Sequence, residues 1–428
     1  MENKACLNEN NHGAGDYSIP RIALDKEPEN CPEELKYLFE HTVVDDGLSY
    51  IGHPDSVLLK SGDILTVYPS GHGKGALRSA ISFDRGLSYE GKIENMPSSW
   101  QNSRETPTVY RLEFCGGSPD KLLLVCGNPD WNDGVVTTGG FNCSLSEDEG
   151  KSWSEFKLFY GRDEGYDYTT IVALASLTRL KENGKFVDKW MGLFHDDNFV
   201  NYKTVLSFEN GEMRWTEPEP YLAKYRELEK EAHICEVECV RSGGGKGDEL
   251  CLITRCNTKR YNSLLIFSDD EGKTWSEPRL APSALNGERH KADYLPDGRL
   301  FIDFRSIERS PEKIEKYASG DGKDWFSEGW VAWVGTYEDL KHGREGQYRL
   351  KLAHTYFEGQ TEPFVKADSD TGYCGTVVYP DGLIVTSTYG KFGERNEDGS
   401  LKTYVVSKRI YMKDVDALAA FEDSHYNV

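Results

Sequence analysis

Positive charge is what this sequence is short of. Lys and Arg number 50 against 72 Asp and Glu, a formal net charge of −22. Nucleic acids are held by basic surfaces, so that class of partner is excluded. An acidic ligand needs a locally basic cleft inside the acidic shell. Long apolar runs are also missing, and nothing approaches the roughly 20 residues of a membrane span. Met1 to Asp16 has neither a basic n-region nor an apolar core of signal-peptide length, so a cytoplasmic location is expected. The ten cysteines form no paired Cys-x-x-Cys knuckle, which removes the usual zinc frameworks. Cys126, Cys239 and Cys251 fall in apolar strand patterns, where a reduced thiol behaves as a small hydrophobe.

What is abundant points to β-structure. Twenty-four Tyr, nine Trp and forty-two Gly suit short strands joined by tight turns. A chain of 428 residues suggests two domains, unless a repeat spreads one fold over many small sheets. Such a repeat exists. Ser82-Phe-Asp84-Arg-Gly86-Leu-Ser88-Tyr89 returns as Ser146-Glu-Asp148-Glu-Gly150-Lys-Ser152-Trp153 and as Ser268-Asp-Asp270-Glu-Gly272-Lys-Thr274-Trp275. A worn copy runs from Ser207 through Gly211 to Trp215, so the starts lie 64, 61 and 61 residues apart. In each, Asp accepts backbone hydrogen bonds across a turn and Gly takes a conformation other residues resist.

A second series of turns keeps the same period: Ser61-Gly62-Asp63, Ser118-Pro-Asp120, Glu182-Asn-Gly184, Gly245-Lys-Gly247, Pro296-Asp-Gly298 and Pro380-Asp-Gly382. Each separates two runs of strand character. Six turns predict six sheets, hence an all-β, six-bladed β-propeller over residues 46–428. In blade five the copy at Ser319–Trp325 is one residue short, so the third strand is placed at Trp330–Val334. Tyr337 to Lys366 then reads as an insertion before blade six. Residues 1–45 read as an N-terminal extension, with an outer strand and a clasp from 17–45 closing the ring and a helix-like stretch at Pro32–Phe39.

Octapeptides of this kind, the Asp boxes, at this period on six units resemble the bacterial sialidase (neuraminidase) superfamily, over roughly residues 46 to 412. Glu236 opens the inner strand of blade four and Arg255 ends its second strand, which is similar to the family's catalytic Glu followed by a carboxylate-binding Arg. Gly372-Tyr373-Cys374 in blade six resembles the family's nucleophilic Tyr segment. The resemblance implies Tyr373 as nucleophile and Glu236 as the base that takes its proton, because a sugar carboxylate repels an anionic nucleophile. The chain departs from the family at three places. Gly52-His53-Pro54 stands where the first Arg is expected, Pro69-Ser-Gly-His72-Gly-Lys74-Gly75 replaces the loop of the acid Asp, and Trp330-Val-Ala-Trp333 replaces the third Arg.

Independently of the resemblance, the inner strands open on His53, Glu105, Tyr168, His233 with Glu236, Arg289 with His290, and Tyr373. The second strands end near His72, His195 with Asp196, Arg255 and Arg305. Propeller strands converge at one mouth of the axial channel, so these side chains are expected to share a cavity. His72 is the candidate general acid, since imidazole titrates near neutrality. Lys74 is a candidate for binding a sugar carboxylate, and Glu105 for accepting from a sugar hydroxyl. Arg255, Arg289 and Arg305 are candidates for an anionic group, although Asp303 or Asp293 is an equal partner for Arg305. Glu231 and Glu238 compete with Glu236, Glu238 sharing its face if the strand alternates regularly. Trp131, Tyr166, Tyr168 and Tyr389 are candidates for stacking on sugar faces.

The reading is an exo-acting glycoside hydrolase that removes a terminal acidic sugar, with a carbohydrate as partner and no cofactor or metal. Three alternatives stand beside it: a uronic-acid polysaccharide lyase, a non-catalytic carbohydrate-binding propeller, and a metal held by His53, His195, His233 and His290.

Overall fold

The computed structural model describes residues 17–90, 96–130, 138–309, 325–360, 367–421 and 424–426. Six sheets, antiparallel but for one added strand, stand around one axis, each starting with its innermost strand. Those strands open at Asp55, Pro107, Ile171, Ile234, Gly287 and Gly375. Each inner strand touches the inner strand of the next blade, and the sixth touches the first, so the ring is closed. The chain is therefore a six-bladed β-propeller. No helix among the described residues is long and apolar enough to cross a membrane.

The second strands of the blades are the most buried. Leu122–Cys126, Leu250–Ile253 and Leu300–Ile302 are all but inaccessible to solvent. They pack on both faces between neighbouring blades, which explains their continuous rather than alternating apolar pattern. Cys126 and Cys251 are buried in these second strands, and Cys239 is buried in the inner strand of blade four.

The three octapeptides build the same turn. In blade two the Asp148 carboxylate accepts from the Ser152 amide at 2.9 Å, the Ser152 hydroxyl at 2.5 Å and the Ser146 hydroxyl at 2.9 Å. The Gly150 amide donates to Ser146 Oγ at 2.8 Å, and Gly150 sits at φ +81°. Trp153 then folds beneath the turn and donates its indole N–H to the Gly150 carbonyl at 3.1 Å. Asp84 and Asp270 repeat the carboxylate bonds in blades one and four.

The two periodic series meet in space. The residue after each turn Asp has positive φ (Arg85 +62°, Glu149 +60°, Glu271 +61°). Each reaches the first hairpin of the preceding blade. Arg85 pairs with Asp381 of blade six at 2.6 Å. Glu149 accepts from the Lys60 amide of blade one at 3.0 Å and from Arg111 at 2.7 Å. Glu271 accepts from the Lys181 amide of blade three at 2.9 Å and from Arg241 at 2.6 Å. A turn that closes one sheet thus latches it to its neighbour.

The N-terminal segment supplies two strands. Thr42–Asp45 is the outer strand of blade six, and Arg21–Ala23 adds a fifth strand to blade five, parallel to Tyr348–Ala353. A 3₁₀ turn at Glu33–Phe39 lies between them. Trp330–Gly335 is the third strand of blade five, as placed from the sequence. The stretch after it corrects the expectation of an insertion at 337–366. A capping box of Thr336 and Asp339 starts a helix at Tyr337–His342, and Tyr348–Ala353 is then the fourth strand of the same blade. Residues 361–366 and the short copy at 319–324 lie outside the described residues, as does Trp131.

Removing one latch tests its contribution. Glu271→Ala leaves buried Arg241 without its carboxylate, and a loss of about 1–3 kcal/mol is expected. A urea midpoint unchanged from wild type at equal slope refutes the latch as a stabilising contact.

Candidate active site

Regular strands send successive side chains to opposite faces, but the inner strands of blades three, four and five are not regular. Their ladders skip between Ile171 and Ser176, between Cys235 and Glu238, and between Glu288 and Lys291. Glu236 at φ +46° and Arg289 at φ +57° occupy two of these bulges, and His53 at φ +55° sits just before the inner strand of blade one. A bulge re-aims side chains at a local cost. Here the result is that Glu236 of blade four reaches Tyr373 of blade six across the axis.

The Tyr373 hydroxyl donates to Glu236 Oε1 at 2.5 Å. Arg255 Nη1 donates to the same oxygen at 2.8 Å and to the Tyr373 oxygen at 3.2 Å. Burial pushes the Glu236 carboxyl up, but Arg255, the Tyr373 hydrogen bond and Arg289 outweigh it and hold the group below its ordinary value. Burial, with the Glu236 charge beside it, drives the Tyr373 phenol well above its usual range. The proton therefore rests on Tyr373 and the charge on Glu236. Gly372 allows the approach: at φ +78°, any Cβ there meets Arg305 Cα at 2.5 Å.

A second carboxylate, Glu288, lies between the guanidiniums. It is 3.2 Å from Arg255 Nη2, 3.0 Å from Arg305 Nη1 and 3.3 Å from Lys259 Nζ. Burial raises it, yet these three cations together hold it at about 2. Arg305 also donates to the Thr371 carbonyl at 2.8 Å and the Tyr389 oxygen at 3.0 Å. Its expected alternative partner Asp303 is instead taken by Thr376 and Thr386. Arg289 donates to the Ala175 carbonyl at 2.9 Å, with its guanidinium 5.8 Å from the Tyr373 ring centroid.

Above Tyr373 opens a cavity of about 240 Å³ lined by His53, His72, Arg255, Arg305, Ser369, Asp370 and Tyr373. His53 is buried against Tyr373 and Tyr389, with ring centroids 4.6 and 4.5 Å away. Burial, with His72 and the arginines nearby, lowers its pKa well below the ordinary value, so it stays neutral. His72 stands on the rim, its side chain 68% exposed, with Nδ1 2.6 Å from the Tyr50 hydroxyl. Asp370 Oδ1 accepts from Tyr389 at 3.1 Å, and Oδ2 accepts from Tyr50 at 3.0 Å.

Not every residue expected at the mouth lines this cavity. His290 is fully buried inside blade five, its Nε2 2.9 Å from the Leu285 carbonyl and its ring on Phe304. One bulge earlier in the same strand turns Arg289 to the axis and His290 away from it. His195 is buried near Glu236 and Arg255, stacked on Phe199, which in turn stacks on His233. Burial lowers His195 to about 4. Among the described residues no group of three or more His, Cys, Asp or Glu is arranged to hold a metal. Lys74 is exposed on its loop, where its charge acts on Glu105. Glu105 is buried and accepts from the Thr106 amide and hydroxyl at 2.8 and 2.9 Å. Glu231 is occupied by the Tyr261 hydroxyl at 2.7 Å, and Glu238 faces a separate cavity of about 480 Å³ with Tyr110, Lys291 and Asp293. Tyr166 and Tyr168 stack on each other away from the mouth.

Three residues at the mouth were missed from the sequence: Glu288, Asp370 and Tyr50. Asp370 stands three residues before Tyr373, and that proximity is the one local signal it gave.

No protein-family model and no curated protein sequence matches the chain. Solved structures do. An α-L-arabinofuranosidase from Fusarium graminearum, solved with arabinobiose, superposes with a TM-score of 0.56 at 11% identity, covering 88% of this chain and 98% of that one. A protein of unknown function from Dyadobacter fermentans gives 0.54 at 14% identity, covering 86% and 97%. The NanB sialidase from Streptococcus pneumoniae gives 0.53 at 11% identity, covering 87% of this chain and 70% of that one. At these identities the likeness establishes the propeller fold.

Glu105 carries a test of the site's electrostatics. Burial raises its pKa from 4.5 to about 7. The native state then binds more protons than the unfolded chain between those values. Its contribution is full below pH 4.5 and is lost as pH rises through 7. Glu105→Gln is expected to flatten this fall by about 3 kcal/mol. Parallel stability–pH curves for the two proteins refute the assignment.

Proposed function

We propose that the protein is a glycoside hydrolase that removes a terminal acidic sugar by double displacement at Tyr373. The observation that carries this reading is the 2.5 Å hydrogen bond from the Tyr373 hydroxyl to Glu236. Glu236 does not line the cavity, whereas Tyr373 does. The group that meets substrate is therefore the phenol, with its base behind it.

The steps balance. The Tyr373 oxygen attacks the anomeric carbon as its proton passes to Glu236 Oε1, and His72 protonates the departing glycosidic oxygen. His72 then takes a proton from water, whose oxygen displaces Tyr373, and Glu236 returns the proton to the phenol. Arg255 stays beside both oxygens and holds the developing phenolate charge. A phenol suits a substrate that carries its own carboxylate, because the nucleophile is neutral until it attacks.

Charge at the mouth supports an acidic sugar. Of the charged side chains that line the cavity, Arg255 and Arg305 outnumber Asp370 by one. In a protein of net charge −22 that excess is a local exception. Glu288 occupies the gap between Arg255 and Arg305, so the sugar carboxylate is left with single N–H donors rather than a preformed fork.

Release of fluorophore from aryl sialosides and aryl uronides tests the proposal. Tyr373→Phe is expected to lower kcat on the order of 10³-fold or more, and Glu236→Gln by roughly 10²–10⁴-fold. Full turnover by Tyr373→Phe removes the phenol as nucleophile. A product with new ultraviolet absorbance from a conjugated double bond replaces hydrolysis by elimination.

A further inference from the structure

Fixed donors and acceptors around the cavity constrain the hydrogen directions of its polar network, in which His72 Nδ1 also lies 3.6 Å from Asp370 Oδ1. At one end the Gly73 amide donates to His53 Nδ1 at 2.9 Å. An amide has no other role, so that nitrogen holds no proton and the proton of neutral His53 is on Nε2. His53 Nε2 lies 3.3 Å from the Tyr389 oxygen, which also accepts from Arg305 Nη2 at 3.0 Å. With both lone pairs of Tyr389 engaged, its own proton points to Asp370 Oδ1 at 3.1 Å.

The other arm ends on the same carboxylate. Tyr50 lies 3.0 Å from Asp370 Oδ2 and 2.6 Å from His72 Nδ1. It has one proton for two neighbours. A carboxylate has none to offer, so Tyr50 must donate to Asp370. Otherwise two oxygen lone pairs face each other at hydrogen-bond distance. His72 Nδ1 must then carry a hydrogen and donate it to Tyr50.

We infer that Asp370 is a positioning residue that sets the tautomer of His72 through Tyr50. Neutral His72 is the Nδ1–H form, leaving Nε2 as the nitrogen that gains and loses the working proton. This rests on the proposed acid–base role of His72 for its catalytic meaning, but the tautomer itself does not. The same network leaves His53 in the opposite, Nε2–H form. Asp370 comes from the loop before the inner strand of blade six, and His72 from blade one. The acid–base half of the site is thus shared across the seam where the ring closes.

The test is nitrogen-15 NMR of the histidine side chains in the full-length protein at pH 9. His72 is expected as the Nδ1–H tautomer and His53 as Nε2–H. Tyr50→Phe removes the acceptor, and Asp370→Asn removes the acceptor-only end. Each is expected to move His72 toward Nε2–H, and Asp370→Asn to lower kcat about tenfold or more with a smaller change in KM. Nε2–H as the dominant form of wild-type His72 overturns the inference whether or not the variants fold. An unchanged His72 tautomer in both folded variants overturns it as well. Absence of any glycoside turnover, with the tautomers as expected, counts against the proposed hydrolase alone.

Discussion

The site depends on a backbone distortion. Glu236 and Arg289 are held at positive φ inside interrupted ladders, a conformation that costs about 1–2 kcal/mol for each residue with a Cβ. In exchange, carboxylate and guanidinium leave the alternation of the sheet and enter the axial channel. The bulge in blade four is what brings Glu236 into contact with Tyr373. The strain is held in place by what it creates. Arg255 bonds both oxygens of the pair, Glu288 bonds Arg255 from behind, and Arg305 carries Glu288 to the blade that bears Tyr373.

The frame that tolerates this strain is built on the other side of each blade. Octapeptide turns and first hairpins, two regular series along the chain, join in pairs between neighbouring sheets. Glu149 and Glu271 each satisfy a backbone amide of the adjoining blade and a guanidinium of their own blade at once. Sheets locked at their outer turns leave the inner strands free to depart from regular pairing.

The sequence announced the frame because its signals are local. Asp, Gly and an aromatic within eight residues specify a turn wherever they occur, and the six hairpin turns of the second series counted the blades. Glu236, Arg255 and Tyr373 were found because they stand at the starts and ends of strands those turns delimit. His290 was misjudged for the opposite reason. Its neighbour Arg289 sits in a bulge, and a one-residue irregularity sends adjacent side chains to opposite faces. Glu288 was hidden by the same irregularity. Asp370 and Tyr50 were hidden because their partners lie far along the chain, and no short-range pattern marks a carboxylate that two distant tyrosines will meet. The stretch at 337–366 looked like an insertion because blade five is longer than its neighbours, with a helix between its third and fourth strands.

The outer strand of blade six is Thr42–Asp45, and its partner Tyr404–Tyr411 is made some 360 residues later. At roughly 5–20 residues per second of synthesis, the early strand waits on the order of 20–70 s for that partner. Through that interval it is an edge without a sheet. Tyr50, Asp370 and Tyr389 flank this final junction. The cavity thus lies beside the junction made by the last of the described strands.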